Sequence, residues 1–239
     1  MSWFLTVSLV CYVFGSSRRL IFAAGIVSQS IYLLLRSLSV GRLPLLGPHD
    51  TLIFFALSIA VMALITSFSP SAIRKRWFTT ASGITAGLFT LCALGFKPLN
   101  MPLPQILDTL WFELHVVLAF FSYALFVLGG LFCAAFLIGG ERAYLDIHGK
   151  TALVGWSFFS ASMVAGGIWG YYAWGTYWLW TPKELWTSIL WLYYALLLHL
   201  RLKGARWDNL AAWLGIAGVA VMLFTYLGVS MLMKSSHSF

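Results

Sequence analysis

The sequence predicts an all-α fold: a polytopic membrane helix bundle of about eight transmembrane helices, with both termini on the outer, periplasmic side. Three observations predict it. Of 239 residues, 61% are hydrophobic and only 9% charged, far too apolar for a soluble domain of this length. The apolar residues fall into eight stretches near the roughly 20 residues needed to cross roughly 30 Å of hydrocarbon. Lys and Arg are also distributed unequally between alternate connections, as expected of an inserted protein.

The expected spans lie near 1–16, 20–37, 50–69, 77–95, 111–138, 152–173, 186–203 and 209–234. The first is short and shares its apolar character with a signal peptide. No positive charge precedes it, Arg18-Arg19 follows it, and no small-residue cleavage site is evident, so it reads as a helix. With eight spans, one set of connections holds Arg18, Arg19, Arg74, Lys75, Arg76, Arg142, Lys150, Arg201, Lys203 and Arg206. The other holds Arg36, Arg42, Lys97, Lys183 and Lys234. The richer set faces the cytoplasm and places both termini outside. The net charge of +8 is thus mainly a topology signal, and the basic clusters suit anionic lipid rather than nucleic acid.

The chain reads as one integral membrane domain over 1–239, with four helices in 1–100 and a second half over 110–239. Neither a soluble domain nor an internal repeat is visible. Cys11, Cys92 and Cys133 sit in expected spans without CxxC spacing and read as small buried apolar residues.

Two outer connections stand out. Residues 97–105 hold three prolines and cannot form a continuous helix; a short interfacial segment can begin over Ile106 to Trp111. The second connection lies in a stretch from Trp169 to Trp191 that holds six of the twelve tryptophans. At its centre runs Trp174-Gly-Thr-Tyr-Trp-Leu-Trp-Thr-Pro-Lys-Glu-Leu-Trp186, the tryptophan-rich outer loop 174–186. Anchoring at the headgroup level needs one or two such rings per helix end, so a belt accounts for some of them. Gly175 and Pro182 break a helix there, and irregular backbone at membrane depth is tolerated only when it is buried in protein or lines a cavity. The strip therefore reads as a shelf for a flat ligand. Lys183 and Glu184 read either as a solvated local pair or as part of that site.

Five histidines remain. His115 begins the fifth span and His237 follows the eighth, both on the face of the tryptophan strip; His199 lies near the cytoplasmic end of the seventh; His49 and His148 fall in connections and read as surface residues. A lone interfacial histidine is ordinarily solvated or bonded to a carbonyl. Two imidazoles flanking an aromatic shelf, however, match what six-coordinate haem requires. For His199, followed by Leu200-Arg201, snorkelling toward the headgroups stands as the alternative to ligation.

Trp174 to Trp186 resembles the tryptophan-rich WWD signature of haem-handling proteins of cytochrome c maturation, and its Pro182-Lys183-Glu184 ending is similar to the CcsA (ResC) branch. His115-Val followed by Ser122-Tyr123-Ala124, Trp191 through Ala195 to Leu198-His199-Leu-Arg201, and Leu227-Gly228-Val229 through His237-Ser238 also resemble family motifs in order and spacing. The likeness covers residues from about 110 onward; before that it is weaker, chiefly Gly41-Arg-Leu-Pro.

The resemblance implies haem as cofactor. It implies His115 and His237 as axial ligands of an outer haem, and His199 as one ligand of an intramembrane haem. Trp174, Gly175, Trp178, Trp180, Pro182, Lys183, Glu184 and Trp186 would form the cofactor-binding loop, with no acid or base catalyst assigned. It further implies haem transport to the outer face and thioether attachment to the CxxCH of apocytochrome c. The second intramembrane ligand would come from a CcsB/ResB-type partner, since no other membrane-embedded histidine is expected here. The location would be the bacterial cytoplasmic (inner) membrane, with a thylakoid counterpart equally compatible. One position departs: the family's Asp is Thr181 here, which keeps a hydroxyl but loses the charge. Thr still suits the N-cap of a helix beginning at Pro182. The departure leaves open a HemX-like protein that binds haem or regulates its supply without attaching it, and a carrier or pore whose tryptophans only anchor it.

Overall fold

The computed structural model describes residues 2–14, 18–68, 76–101 and 104–233, and the chain divides into two compact units, Met1–Asp108 and Thr109–Phe239. Every regular element among the described residues is helical.

The first unit contains α1 (Ser2–Phe14), α2 (Arg19–Val40), α3 (Gly47–Thr66) and α4 (Arg76–Ala93), with a 3₁₀ turn at Gln105–Leu107. A small residue sets the approach of α1 to α2: a Cβ on Gly25 would stand 2.9 Å from both Cys11 and the Tyr12 ring. Gln29 ties three helices, its amide donating to the Ile53 carbonyl at 3.0 Å and to the Thr90 hydroxyl at 3.3 Å, which satisfies a polar group in an apolar bundle. α2 runs to Val40, so Arg36 lies on a helix and is buried. Its guanidinium reaches both carboxylate oxygens of buried Asp50, the Asn100 side chain and the Leu99 carbonyl. His49 belongs to the same cluster, with Nδ1 3.0 Å from Asp50 and the residue 5% exposed. The expectation of a surface His49 is therefore wrong. Asp50, one residue away in the first turn of α3, draws the imidazole inward.

The second unit contains α5 (Leu110–Gly139), α6 (Arg142–Trp174), α7 (Pro182–Arg201), α8 (Asp208–Leu223), a π-helical turn at Phe224–Gly228, and α9 (Val229–Leu232). α5 is the most enclosed, a continuous apolar helix started by Thr109, whose hydroxyl accepts from the Phe112 N–H at 3.2 Å. Its Phe126 stacks on Tyr194 of α7 with centroids 3.5 Å apart, and Tyr123 meets Phe159 of α6 at 5.7 Å. Glycines admit α8 closely: a Cβ on Gly130 would lie 2.5 Å from Val219, the small-residue packing that holds helices together in lipid.

Five helical segments, α2, α3, α5, α6 and Ala205–Leu232, are long and apolar enough to cross a membrane, and α1 is a shorter apolar helix. α6 begins ten residues before the expected span because its early charges are neutralised in place. Arg142 meets Asp208 at 2.7 Å, while Arg201 bridges Asp208 at 3.0 Å and Asp146 at 3.1 Å. The extension buries His148, 1% exposed, against Gly129 and Gly215, where added Cβ atoms would meet its ring at 2.9 and 3.1 Å. Neither a surface position for His148 nor the expectation of no second embedded histidine survives. Cys92 also departs from expectation, being exposed on α4, whereas Cys133 is buried.

Candidate functional site

The irregular segment between α6 and α7 is built by three local devices. Gly175 closes α6 in the left-handed region, φ 73°, donating its N–H to the Tyr171 carbonyl at 2.9 Å, the usual glycine C-terminus. Trp180 adopts φ 57°, the one non-glycine positive φ among the described residues, an unfavourable conformation for a bulky side chain. Thr181 then caps α7 with Pro182 in the first turn. The Thr181 hydroxyl accepts from the Glu184 N–H at 3.3 Å, and the Glu184 carboxylate accepts from the N–H groups of Thr181 and Leu179, each at 2.9 Å. This is a reciprocal capping box that also reaches back to hold the preceding turn. Glu184 is thus a loop fastener, while the Lys183 amine donates to the Ser230 hydroxyl on α9 at 2.9 Å.

Beneath this loop lies a cavity of about 80 Å³, bounded by His115 and Tyr123 of α5, Phe159, Met163, Gly166, Trp169 and Trp174 of α6, Trp178 of the loop, Lys183, Glu184 and Thr187 of α7, and Thr225 of the π turn. His115 is half-buried at its edge. The His115 Nδ1 lies 2.8 Å from the Ser162 carbonyl and 3.1 Å from the Ser162 hydroxyl, and that hydroxyl donates to the His115 carbonyl at 2.8 Å. A carbonyl only accepts, so Nδ1 carries the hydrogen and Nε2 holds the lone pair in the neutral ring. Among the described residues no hydrogen bond engages Nε2.

Of the residues singled out from sequence, His115, Trp174, Trp178, Lys183 and Glu184 come together at this cavity. Gly175 and Pro182 shape its loop. Trp180 is 69% exposed, and Trp186 turns toward Phe224, centroids 4.5 Å apart. His199 sits at the other end of α7, about 24 Å along the helix from Lys183 at 1.5 Å per residue. It is exposed on the bundle surface, its Nδ1 2.7 Å from the Ala195 carbonyl. His237 lies outside the described residues.

Sequence reasoning missed Ser162, Met163, Gly166 and Thr225 entirely, and took Tyr123 only as part of a motif. The signal was present in spacing: Ser162, Gly166 and Trp169 recur at helical intervals and share one face of α6. Thr225 is carried by the π turn, a device often found at functional sites. That turn is stabilised by the Thr225 hydroxyl, which donates to the Val221 carbonyl at 2.9 Å, while Gly228 lies against the Phe224 ring.

Comparison with known proteins agrees with this arrangement. The profile of the family described as Cytochrome C assembly protein matches residues 46–237. The cytochrome c biogenesis protein CcsA of Chlamydomonas reinhardtii is 29% identical over 226 residues, covering 87% of this chain and 64% of that protein, so the chain spans a little under two thirds of this relative's length. CcsA of Microcystis aeruginosa is 27% identical, over 85% of this chain and 81% of its own. Protein NrfI of Wolinella succinogenes is 32% identical over 88% of this chain but only 25% of NrfI. The solved structure of the cytochrome c heme lyase CcmF superposes with a TM-score of 0.67 at 19% identity, over 98% of this chain and 44% of that one, which establishes a shared fold. The chain belongs to the cytochrome c assembly protein family, with CcsA proteins among its relatives.

Proposed function

We propose that this protein presents haem at the outer membrane face for covalent attachment to apocytochrome c. The observation that carries the proposal is His115: its Nδ1 is fixed by Ser162 and its Nε2 lone pair is left without a bonded partner, at a cavity walled by Trp174 and Trp178. An imidazole ligand oriented through a carbonyl bond on its other nitrogen is the ordinary arrangement of a metal-binding histidine. The donor chemistry therefore fits an iron porphyrin. The cavity of about 80 Å³ is smaller than the macrocycle, so loading requires the loop between Gly175 and Thr181 to move outward, with Gly175 and the Glu184 fastener as its two ends.

In this reading His115 and His237 are the outer axial ligands, the Trp174–Trp186 loop is the aromatic shelf, and Lys183 is a cation within reach of a propionate. Haem supplies two vinyl groups to which the CxxCH thiols add, with the iron reduced. The protein's own contribution is positioning and desolvation. Eight spans place both termini outside, and a CcsB/ResB-type membrane protein completes the intramembrane site. Support for a partner comes from His199: it faces away from its own bundle with Nδ1 already bonded, so a second ligand approaches from outside the chain. Buried His148 lies within the helix packing instead. The membrane is the bacterial inner membrane or its thylakoid counterpart. Thr181 supports attachment, since it closes the cap and keeps the loop's geometry despite losing the charge. A HemX-like protein that binds haem without attaching it is the reading that remains if attachment fails.

The test is co-expression, with and without a CcsB-type partner, beside a reporter apocytochrome bearing one CxxCH, followed by haem staining on a denaturing gel. Covalent haem that disappears in His115→Ala establishes the synthase role. A Soret band on the purified protein without reporter staining shifts the conclusion to the HemX-like reading, and absence of both removes haem from the account.

A further inference from the structure

We infer that Gly166, together with Ser162, is the positioning face that fixes the plane and tautomer of His115; this rests on His115 being the outer haem ligand. The imidazole lies flat on the α6 backbone where residue 166 lacks a side chain. A Cβ there would stand 2.6 Å from Nδ1, 2.9 Å from Cε1 and 3.2 Å from Cγ of His115. Those separations strike three ring atoms at once, so no small rotation relieves them. One turn earlier, Ser162 grips the same residue at two points, its carbonyl against Nδ1 at 2.8 Å and its hydroxyl on the His115 carbonyl at 2.8 Å. The ring is thereby held from below by absent volume and at its edge by a hydrogen bond. Both act on the nitrogen opposite the proposed iron ligand.

The next residue supplies an internal control. Gly167 shares the same helix and backbone conformation, yet a Cβ there would meet only the Tyr177 carbonyl at 3.5 Å, an ordinary contact. Helix propensity changes equally at both positions on substitution by alanine. Only Gly166 touches the histidine.

The experiment compares full-length wild type, Gly166→Ala, Gly167→Ala and Ser162→Ala, each purified with its haem. The expected result is that Gly166→Ala lowers haem affinity by about tenfold or more, the scale of losing an outer-sphere orienting partner. The low-spin spectrum of bis-imidazole iron should give way to a high-spin one, while Gly167→Ala matches wild type. A second readout needs no haem: carbethoxylation of His115 by diethylpyrocarbonate, followed by mass spectrometry in the apoprotein, reports access to Nε2. Its rate should change in Gly166→Ala and stay constant in Gly167→Ala. Wild type without any haem signal overturns the functional reading but leaves the carbethoxylation comparison intact. Equal behaviour of the two glycine variants in both readouts overturns the positioning role. If Gly166→Ala fails to elute as a folded species, Ser162→Ala decides, and an unchanged spectrum and unchanged reactivity there count against the inference.

Discussion

Thr181 and Glu184 hold each other's backbone: the threonine hydroxyl accepts the Glu184 N–H at 3.3 Å, and the glutamate carboxylate returns to the Thr181 N–H at 2.9 Å. The pair sets where α7 begins and how the tryptophan loop enters it. Asp is as good an N-cap as Thr, whereas Ala removes the acceptor and costs about 1 kcal/mol. Thr181→Asp should therefore unfold at the wild-type temperature within a few degrees, and Thr181→Ala should unfold below it, followed by thermal circular dichroism in detergent. Equal loss in both variants would show that the cap is not what residue 181 contributes.

Glu184→Gln probes the fastener separately. It keeps an acceptor oxygen but exchanges charge-assisted bonds to the Leu179 and Thr181 N–H groups for neutral ones. Limited proteolysis between Gly175 and Thr181 should quicken relative to wild type, while the far end of α7, at His199, should keep its protection. Unchanged cleavage would mean that the loop is held by its aromatic contacts instead.

His199→Ala should leave haem at the outer site when haem is supplied to the purified protein, and should abolish loading from the cytoplasm when a CcsB-type partner is present. The basis is distance, about 24 Å along α7 from Lys183 at 1.5 Å per residue. Comparison of in vitro and in vivo haem content separates the two sites. Loss in both assays would argue for one shared site.

In the first unit, Arg36→Met strands Asp50, which is fully buried, and should cost about 3–5 kcal/mol, the usual penalty for an unpaired buried charge. Arg36→Met combined with Asp50→Leu removes both charges and should recover much of that loss. The check is a double-mutant cycle in thermal or denaturant unfolding; simple additivity would show that the ion pair is not an energetic unit.

What was legible in the sequence was whatever depends on local composition. The helices follow the apolar runs, and the breaks at Gly175 and Pro182 mark the ends of α6 and α7. Thr181 caps because its hydroxyl needs only its own next turn. What depends on a distant neighbour was hidden. His148 looked superficial beside Arg142, Asp146 and Lys150, yet those charges are absorbed partly by Arg201 and Asp208, far along the chain, and Gly129 and Gly215 open the space that the imidazole fills. His49 was misplaced for a similar reason: its neighbour Asp50 is drawn inward by Arg36. At the site, aromatic density advertised the loop, but Ser162 and Gly166 have no conspicuous chemistry of their own. Their role arises only where α5 and α6 touch.

The π turn at Phe224–Gly228 makes the final helix sensitive to counting. An α-helix turns about 100° per residue, and a π turn accommodates one residue beyond the α count. Deleting a single residue there would preserve composition and nearly all the length, yet every later side chain would swing about 100° to another face. Ser230 would leave the Lys183 amine it now meets at 2.9 Å. The segment should therefore tolerate exchange of one apolar residue for another far better than the loss of any one, because what it stores is a phase.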